Sequence, residues 1–199
     1  RSTRTISSAA QMCIRDSTET SSLDPQVAEL IGISLSYAEN ISFYIPVGHK
    51  NIKSLNKDFV VKKLKPILED PSIKKVGQNI KYDFIILKKY GVELNSVEDT
   101  MLLSYTLDAG NNRHNMDTLS ELHLNHKTIT YKDLVGSGKK QLKFSEVDID
   151  KATEYAAEDA DVTLRLYEIL SERVSDEKLS QIYEAFEKPM IKILSKLCL

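Results

Sequence analysis

Val27-Ala28-Glu29-Leu30-Ile31-Gly32-Ile33-Ser34-Leu35-Ser36-Tyr37 and Ile41-Ser42-Phe43-Tyr44-Ile45-Pro46-Val47 are two runs rich in β-formers, separated by Ala38-Glu39-Asn40. Three linking residues between such runs read as an antiparallel hairpin. A strand ahead of it would make three. Downstream the pattern changes. Asn56 caps a helical run from Lys57 to Leu68, expected to kink at Pro66, and Lys74 to Gln78 reads as a short buried strand before a helix from Lys81 to Tyr90. Asp99 starts a helix to Leu107, the polar run from Gly110 to His114 ends it, and Met116 to Leu124 forms another. Residues 125–145 read as loop with short turns, helped by Gly136 and Gly138. Two long helices close the chain, Asp148 to Val174 and Asp176 to the end. A hairpin followed by strand and helix alternation predicts an α/β fold, a mixed sheet flanked by helices.

The 199 residues and 22.5 kDa correspond to one domain, and a domain of that size buries roughly 70% of its unfolded surface, so its core needs no disulfide or structural metal. No apolar run approaches the roughly 18 residues of a membrane span, so no membrane partner is expected. Cys13 and Cys198 sit near opposite ends with no Cys or His cluster, which argues against a disulfide framework or a zinc site and favours a reducing, cytoplasmic setting. The net charge is only −2, yet the stretch from Pro46 to Tyr90 carries 11 lysines against four acids. Such a stretch is read either as solvated helix faces or as a surface for phosphates.

The first seventeen residues, RSTRTISSAAQMCIRDS, hold three arginines, four serines and one acid. That composition suits a transit peptide, but Met12-Cys13-Ile14-Arg15-Asp16 resembles the translation of a sequencing adaptor. Residues 1–17 are therefore expected to be a non-native leader, with native sequence from Thr18. The segment 176–199 is expected to be a helix leading toward a further domain.

Three acids stand out. Along the helix from Asp148, Ala152, Tyr155, Ala156, Leu166 and Leu170 lie within about 60° of Asp159, so Asp159 is on the apolar face, while Glu154 and Asp161 fall on the far side. A buried carboxylate needs a partner, whether a backbone amide, a lysine or a metal. Asp83 shares a helix face with Ile86, Leu87 and Tyr90; its place in the first turn also suits the helix dipole. Asn79 is read either as the N-cap of that helix or as a ligand contact. Glu19 gains meaning from strand geometry: a carboxylate two residues earlier would share its face, and that position is Ser17.

Together, Thr18-Glu19-Thr20 with Leu23-Asp24, Gln78-Asn79-Ile80-Lys81-Tyr82-Asp83 and Tyr155-Ala156-Ala157-Glu158-Asp159 resemble the three acidic motifs of the 3′–5′ exonuclease domain of bacterial DNA polymerase I, in order and spacing. Glu187-Lys188-Pro189-Met190 resembles that family's lead-in to its polymerase domain. The resemblance implies a ribonuclease H-like fold and hydrolysis of nucleotides from DNA 3′ ends with two divalent cations, Mg²⁺ or Mn²⁺. By the same resemblance Glu19 and Asp159 bind the first metal, Asp83 holds the second through water, and Tyr155 orients the attacking water. Leu23 matches a wedge beside the terminal base and Tyr131 an aromatic that stacks there. Thr18, Gln78, Asn79, Tyr82 and Arg113 match substrate contacts. The implied partners are single-stranded DNA 3′ ends and the polymerase domain of the parent chain. Hard oxygen ligands suit Mg²⁺ or Mn²⁺, and two such ions need several converging carboxylates.

One departure is decisive. The family's first motif is Asp-x-Glu, and here its aspartate is Ser17. Asp16 is adjacent but out of register unless a bulge intervenes. The chain as written is expected to bind metal poorly, with a first strand that is damaged or replaced. Two alternatives remain: an inactive single-strand-binding scaffold, favoured by Ser17, and a ribonuclease D-like exonuclease acting on RNA, which shares the acidic motifs.

Overall fold

The computed structural model describes residues 13–197, without the side chains of 15, 16 and 139. Five strands form one sheet in the order β3-β2-β1-β4-β5. They are β1 (Cys13–Thr20), β2 (Leu30–Ala38), β3 (Ile41–Pro46), β4 (Lys74–Gly77) and β5 (Val97–Asp99). β1 to β3 pair antiparallel, whereas β4 joins β1 and β5 joins β4 in parallel, so the sheet is mixed as expected. β1 is central. Residues 1–12 of the expected leader lie outside the described residues; Cys13–Ser17 supply the first half of β1.

Helices cover both faces. Ile33 and Leu35 of β2 join a core with Val60, Val61 and Leu68 of α1 (Lys57–Glu69), Phe84, Ile86 and Leu87 of α2 (Lys81–Lys89), and Ile191 of α8 (Lys188–Leu197). Side chains alternate along a strand, so Gly32, Ser34 and Ser36 belong to the opposite face. Those small residues let the long α6 (Ile149–Asp176) lie close, with Ala152, Ala156 and Ala160 fully buried. α3 (Thr100–Asp108) and α4 (Met116–Leu124) then pack on α6 through Leu103, Leu119, Val162, Leu166 and Leu170.

Gly32 shows how tight that second face is. A Cβ there would lie 2.1 Å from the Tyr44 hydroxyl, and that hydroxyl is held 2.8 Å from His49 Nε2. Gly32→Ala must push an anchored ring aside, and overpacking of this kind costs about 1–3 kcal/mol. Equilibrium urea denaturation of the two proteins measures it; an unchanged midpoint would show that the ring yields freely.

Several expectations need revision. α1 runs through Pro66 to Glu69 with Asn56 as its N-cap, accepting from Phe59 N at 2.9 Å. Asn79 does not cap α2: it takes a left-handed φ of 58°, and the cap position is Ile80, without a side-chain bond. Asp161, on the far side of the helix from the apolar stripe, is nonetheless buried because the β2–β3 turn covers that side of α6, where Asn40 N donates to Asp161 at 2.5 Å. The loop 125–145 contains α5 (Tyr131–Val135) and two short 3₁₀ turns. The last expected helix is broken into α7 (Ser180–Ile182), a π-helical turn (Tyr183–Glu187) and α8. Pro189 explains the widened turn: it cannot donate to the carbonyl four residues back, and its ring clashes with it.

Candidate active site

β1 and β4 run parallel, and the groups of interest gather at their carboxyl ends. Glu19 is the penultimate residue of β1 and pairs with Gly32. A bulge follows at once, since Thr20 pairs with Leu30 and leaves Ile31 as the extra residue. Asp83 stands in the first turn of α2, just past β4. It is 5% exposed, and its Oδ1 accepts from Thr18 N at 2.8 Å and Thr18 Oγ1 at 2.7 Å. The backbone amide is available because the β1–β4 pairing ends at Arg15. Thr18 is therefore buried and commits its hydroxyl to Asp83.

α6 supplies Tyr155 and Asp159 one turn apart. The two side chains are hydrogen-bonded, and burial first, then the Asp159 and Glu19 carboxylates, push the Tyr155 phenol well above its ordinary range. Glu19 also acts on the Tyr44 and Tyr131 phenols, both raised mainly by burial. The Glu19 carboxylate is thus the shared charge of a ring of phenols drawn from β3, α5 and α6. Aromatic contacts fix that ring: Tyr131 stacks on Phe144 with centroids 6.5 Å apart and 8° between planes, and meets Tyr155 edge-on at 6.3 Å.

The remaining candidate contacts surround this centre. Leu23 is 95% exposed in the turn after β1, an apolar side chain left uncovered by the described residues. Beside it, the Tyr82 hydroxyl lies 2.6 Å from Thr20 Oγ1 and donates to Ser22 O at 2.5 Å, holding the turn. Gln78 ties two segments together, donating to His114 O at 2.7 Å and accepting from Thr100 Oγ1 at 2.5 Å. Asn79 and Arg113 are exposed. Tyr131 is 46% exposed, with a ring open to stacking.

Sequence reading missed one organiser of the site. Asp99 was legible as the start of α3, and it does accept from Met101 N at 2.9 Å. Its carboxylate also takes Asn79 N at 3.1 Å and Ile80 N at 3.0 Å, pinning the turn that carries Gln78 and Asn79. Burial pushes the Asp99 carboxyl up to about 6, against the downward pull of those amides. No local signal reveals this second role, because residues 79 and 99 are 20 positions apart.

Glu19, Asp83 and Asp159 offer hard oxygen donors, the right chemistry for a divalent cation such as Mg²⁺ or Mn²⁺. Their number is short. Among the described residues no three His, Cys, Asp or Glu side chains form a ready metal cluster. Ser17 shares the strand parity of Glu19 and supplies only a neutral hydroxyl. The ladder is regular from Arg15 to Glu19, so no bulge changes the register of position 16. The donor set fits one such cation in kind and lacks charge for two.

A mixed five-stranded sheet flanked by helices, with Glu19 at the end of β1 and Asp83 just past β4, is the architecture of the ribonuclease H-like class. A family profile described as 3′–5′ exonuclease matches residues 7–175, and the chain belongs to that family of phosphodiester hydrolases. It is 46% identical over 200 residues to DNA polymerase I of Rhizobium leguminosarum, covering 90% of this chain and 20% of that protein. The chain thus spans about a fifth of the length of the curated relatives it matches. Brucella melitensis NrnC superposes with a TM-score of 0.70 at 22% identity, over 95% of this chain and 84% of its own. A second structure of that protein holds bound Mg²⁺. Trypanosoma brucei RNase D follows at TM-score 0.64 and 18% identity, over 81% and 58% of the two chains. These structural likenesses establish the fold.

Proposed function

We propose that the site removes nucleotides one at a time from single-stranded DNA 3′ ends, as the proofreading portion of a longer polymerase whose polymerase domain shares the chain. The observation that supports this reading is that the Glu19 and Asp159 carboxylates both act on the Tyr155 phenol, with Asp83 bonded to Thr18 beside Glu19. Glu19 and Asp159 would hold one divalent cation, which when bound would supply a Lewis acid and lower the pKa of water; Asp83, through water, would serve a second only where the charge missing at position 17 is restored. The Tyr155 hydroxyl, on a half-buried side chain and hydrogen-bonded to Asp159, is set to orient the attacking water. Leu23 and Tyr131 grip the terminal base by wedge and stack, which tolerates any sequence. Gln78, Asn79, Tyr82 and Arg113 line the strand, and Thr18 acts through Asp83. Identity to DNA polymerase I favours DNA over RNA as substrate and a cytoplasmic setting, with no helix among the described residues long and apolar enough to cross a membrane.

Ser17 supports a second reading, a scaffold that binds single strands without cutting them. A time course of nucleotide release from a 3′-labelled DNA oligomer, with Mg²⁺ or with EDTA, separates the two. Slow release abolished by EDTA supports the exonuclease reading for this chain. Binding without release supports the scaffold, and failure to bind the oligomer defeats both.

A further inference from the structure

Tyr131 opens a helix of only five residues, too short to hold its own position. Thr130 caps that helix, accepting from Asp133 N at 3.2 Å, and Phe144 backs the Tyr131 ring. What precedes it, residues 125–130, has no regular structure. Two anchors hold this segment. On the α4 side, Thr128 Oγ1 donates to Asp117 at 2.7 Å and Ser120 Oγ donates to His126 O at 2.8 Å. On the α6 side Glu158 makes two contacts. Its Oε2 accepts from Ile129 N at 2.7 Å, and its Oε1 lies 2.8 Å from His126 Nε2. The Glu158 side chain is 19% exposed, so its bond to the Ile129 amide is partly sheltered from competing water.

Glu158 immediately precedes Asp159 on the same rigid helix. The turn of α6 that brings Tyr155 and Asp159 to the site therefore also grips the loop that presents Tyr131. We infer that Glu158 is a positioning residue for the exonuclease reaction, setting the distance between the stacked terminal base and the carboxylate centre through the Ile129 and His126 contacts. The inference rests on the reading of Tyr131 as the base-stacking side chain. A surface carboxylate would leave the five-residue helix free to rock, and a stacking platform that moves loses the benefit of preorganisation.

The test is binding of a single-stranded oligomer with 2-aminopurine as its 3′-terminal base, followed by fluorescence quenching in EDTA, where no hydrolysis occurs. Tyr131→Ala is expected to weaken binding about tenfold, the scale of one lost stack. Glu158→Ala should weaken it about fivefold with less quenching at saturation. Glu158→Gln, whose amide oxygen still accepts from Ile129 N, should stay within about twofold. His126→Ala should fall between them, and it serves if Glu158→Ala fails to fold. In the Tyr131→Ala background, Glu158→Ala should add nothing, because both act through one ring. Unchanged binding by folded Glu158→Ala, or full additivity with Tyr131→Ala, overturns the inference. If Tyr131→Ala binds like the parent, the stacking role itself falls, and if the parent does not bind, the proposed function falls with it.

Discussion

Ser17→Asp should raise divalent-metal-dependent nucleotide release by about 10²–10³-fold over the chain as written. The ladder runs without irregularity from Arg15 to Glu19, so position 17 has the parity of Glu19 and an aspartate there joins the same face. The site then gains a fourth carboxylate beside Glu19, Asp83 and Asp159, and charge at a metal centre contributes several kcal/mol to the transition state, with 1.36 kcal/mol per tenfold in rate. The same substitution has a signature that needs no turnover. Without cation, clustered like charges repel and should lower the melting temperature. With Mg²⁺ or Mn²⁺ the variant should regain stability, by about 2.7 kcal/mol at a hundredfold excess over Kd, while the Ser17 chain responds weakly. A folded variant that stays inert and shows no cation-dependent shift would mean that the site is wrongly assigned.

Asp99→Ala should cost about 3 kcal/mol of stability at pH 7. Three amides, those of Asn79, Ile80 and Met101, lose their acceptor together in a site where water cannot replace it. The turn bearing Gln78 and Asn79 should loosen, so oligomer binding should weaken even in preparations kept below their melting temperature. The carboxyl also makes a pH prediction. Burial pushes it up to about 6 from the ordinary 3.8, so between these values the native state holds the extra proton. The stability this confers is complete below about pH 4 and is lost as pH rises through about 6. Asp99→Asn removes the titration and should flatten that part of the stability profile. A slope between pH 4 and 6 that survives in the Asn variant would assign it to another group.

Much of this was legible in order along the chain. Runs rich in β-formers announced β2 and β3, the apolar stripe of α6 placed Tyr155 and Asp159 inward, and the helix face shared with Ile86, Leu87 and Tyr90 turned Asp83 inward. β5 escaped notice because three residues cannot display a period. The burial of Asp161 was not legible because helix-wheel reasoning allows one buried face, and here the β2–β3 turn covers a second.

The sequence by itself determined most of the helices and strands and the mixed sheet, which follow from local periodicity, and, through its resemblance to a family, three acid motifs with their missing first aspartate. Only the tertiary structure decided which groups those acids meet. The Thr18 amide is offered to Asp83 because the β1–β4 pairing stops at Arg15, Asp99 holds a turn 20 residues away, and Glu158 ties α6 to the loop before Tyr131. These are hydrogen bonds between residues far apart in sequence. A one-dimensional pattern encodes which face a side chain takes, but not which distant amide it will find there.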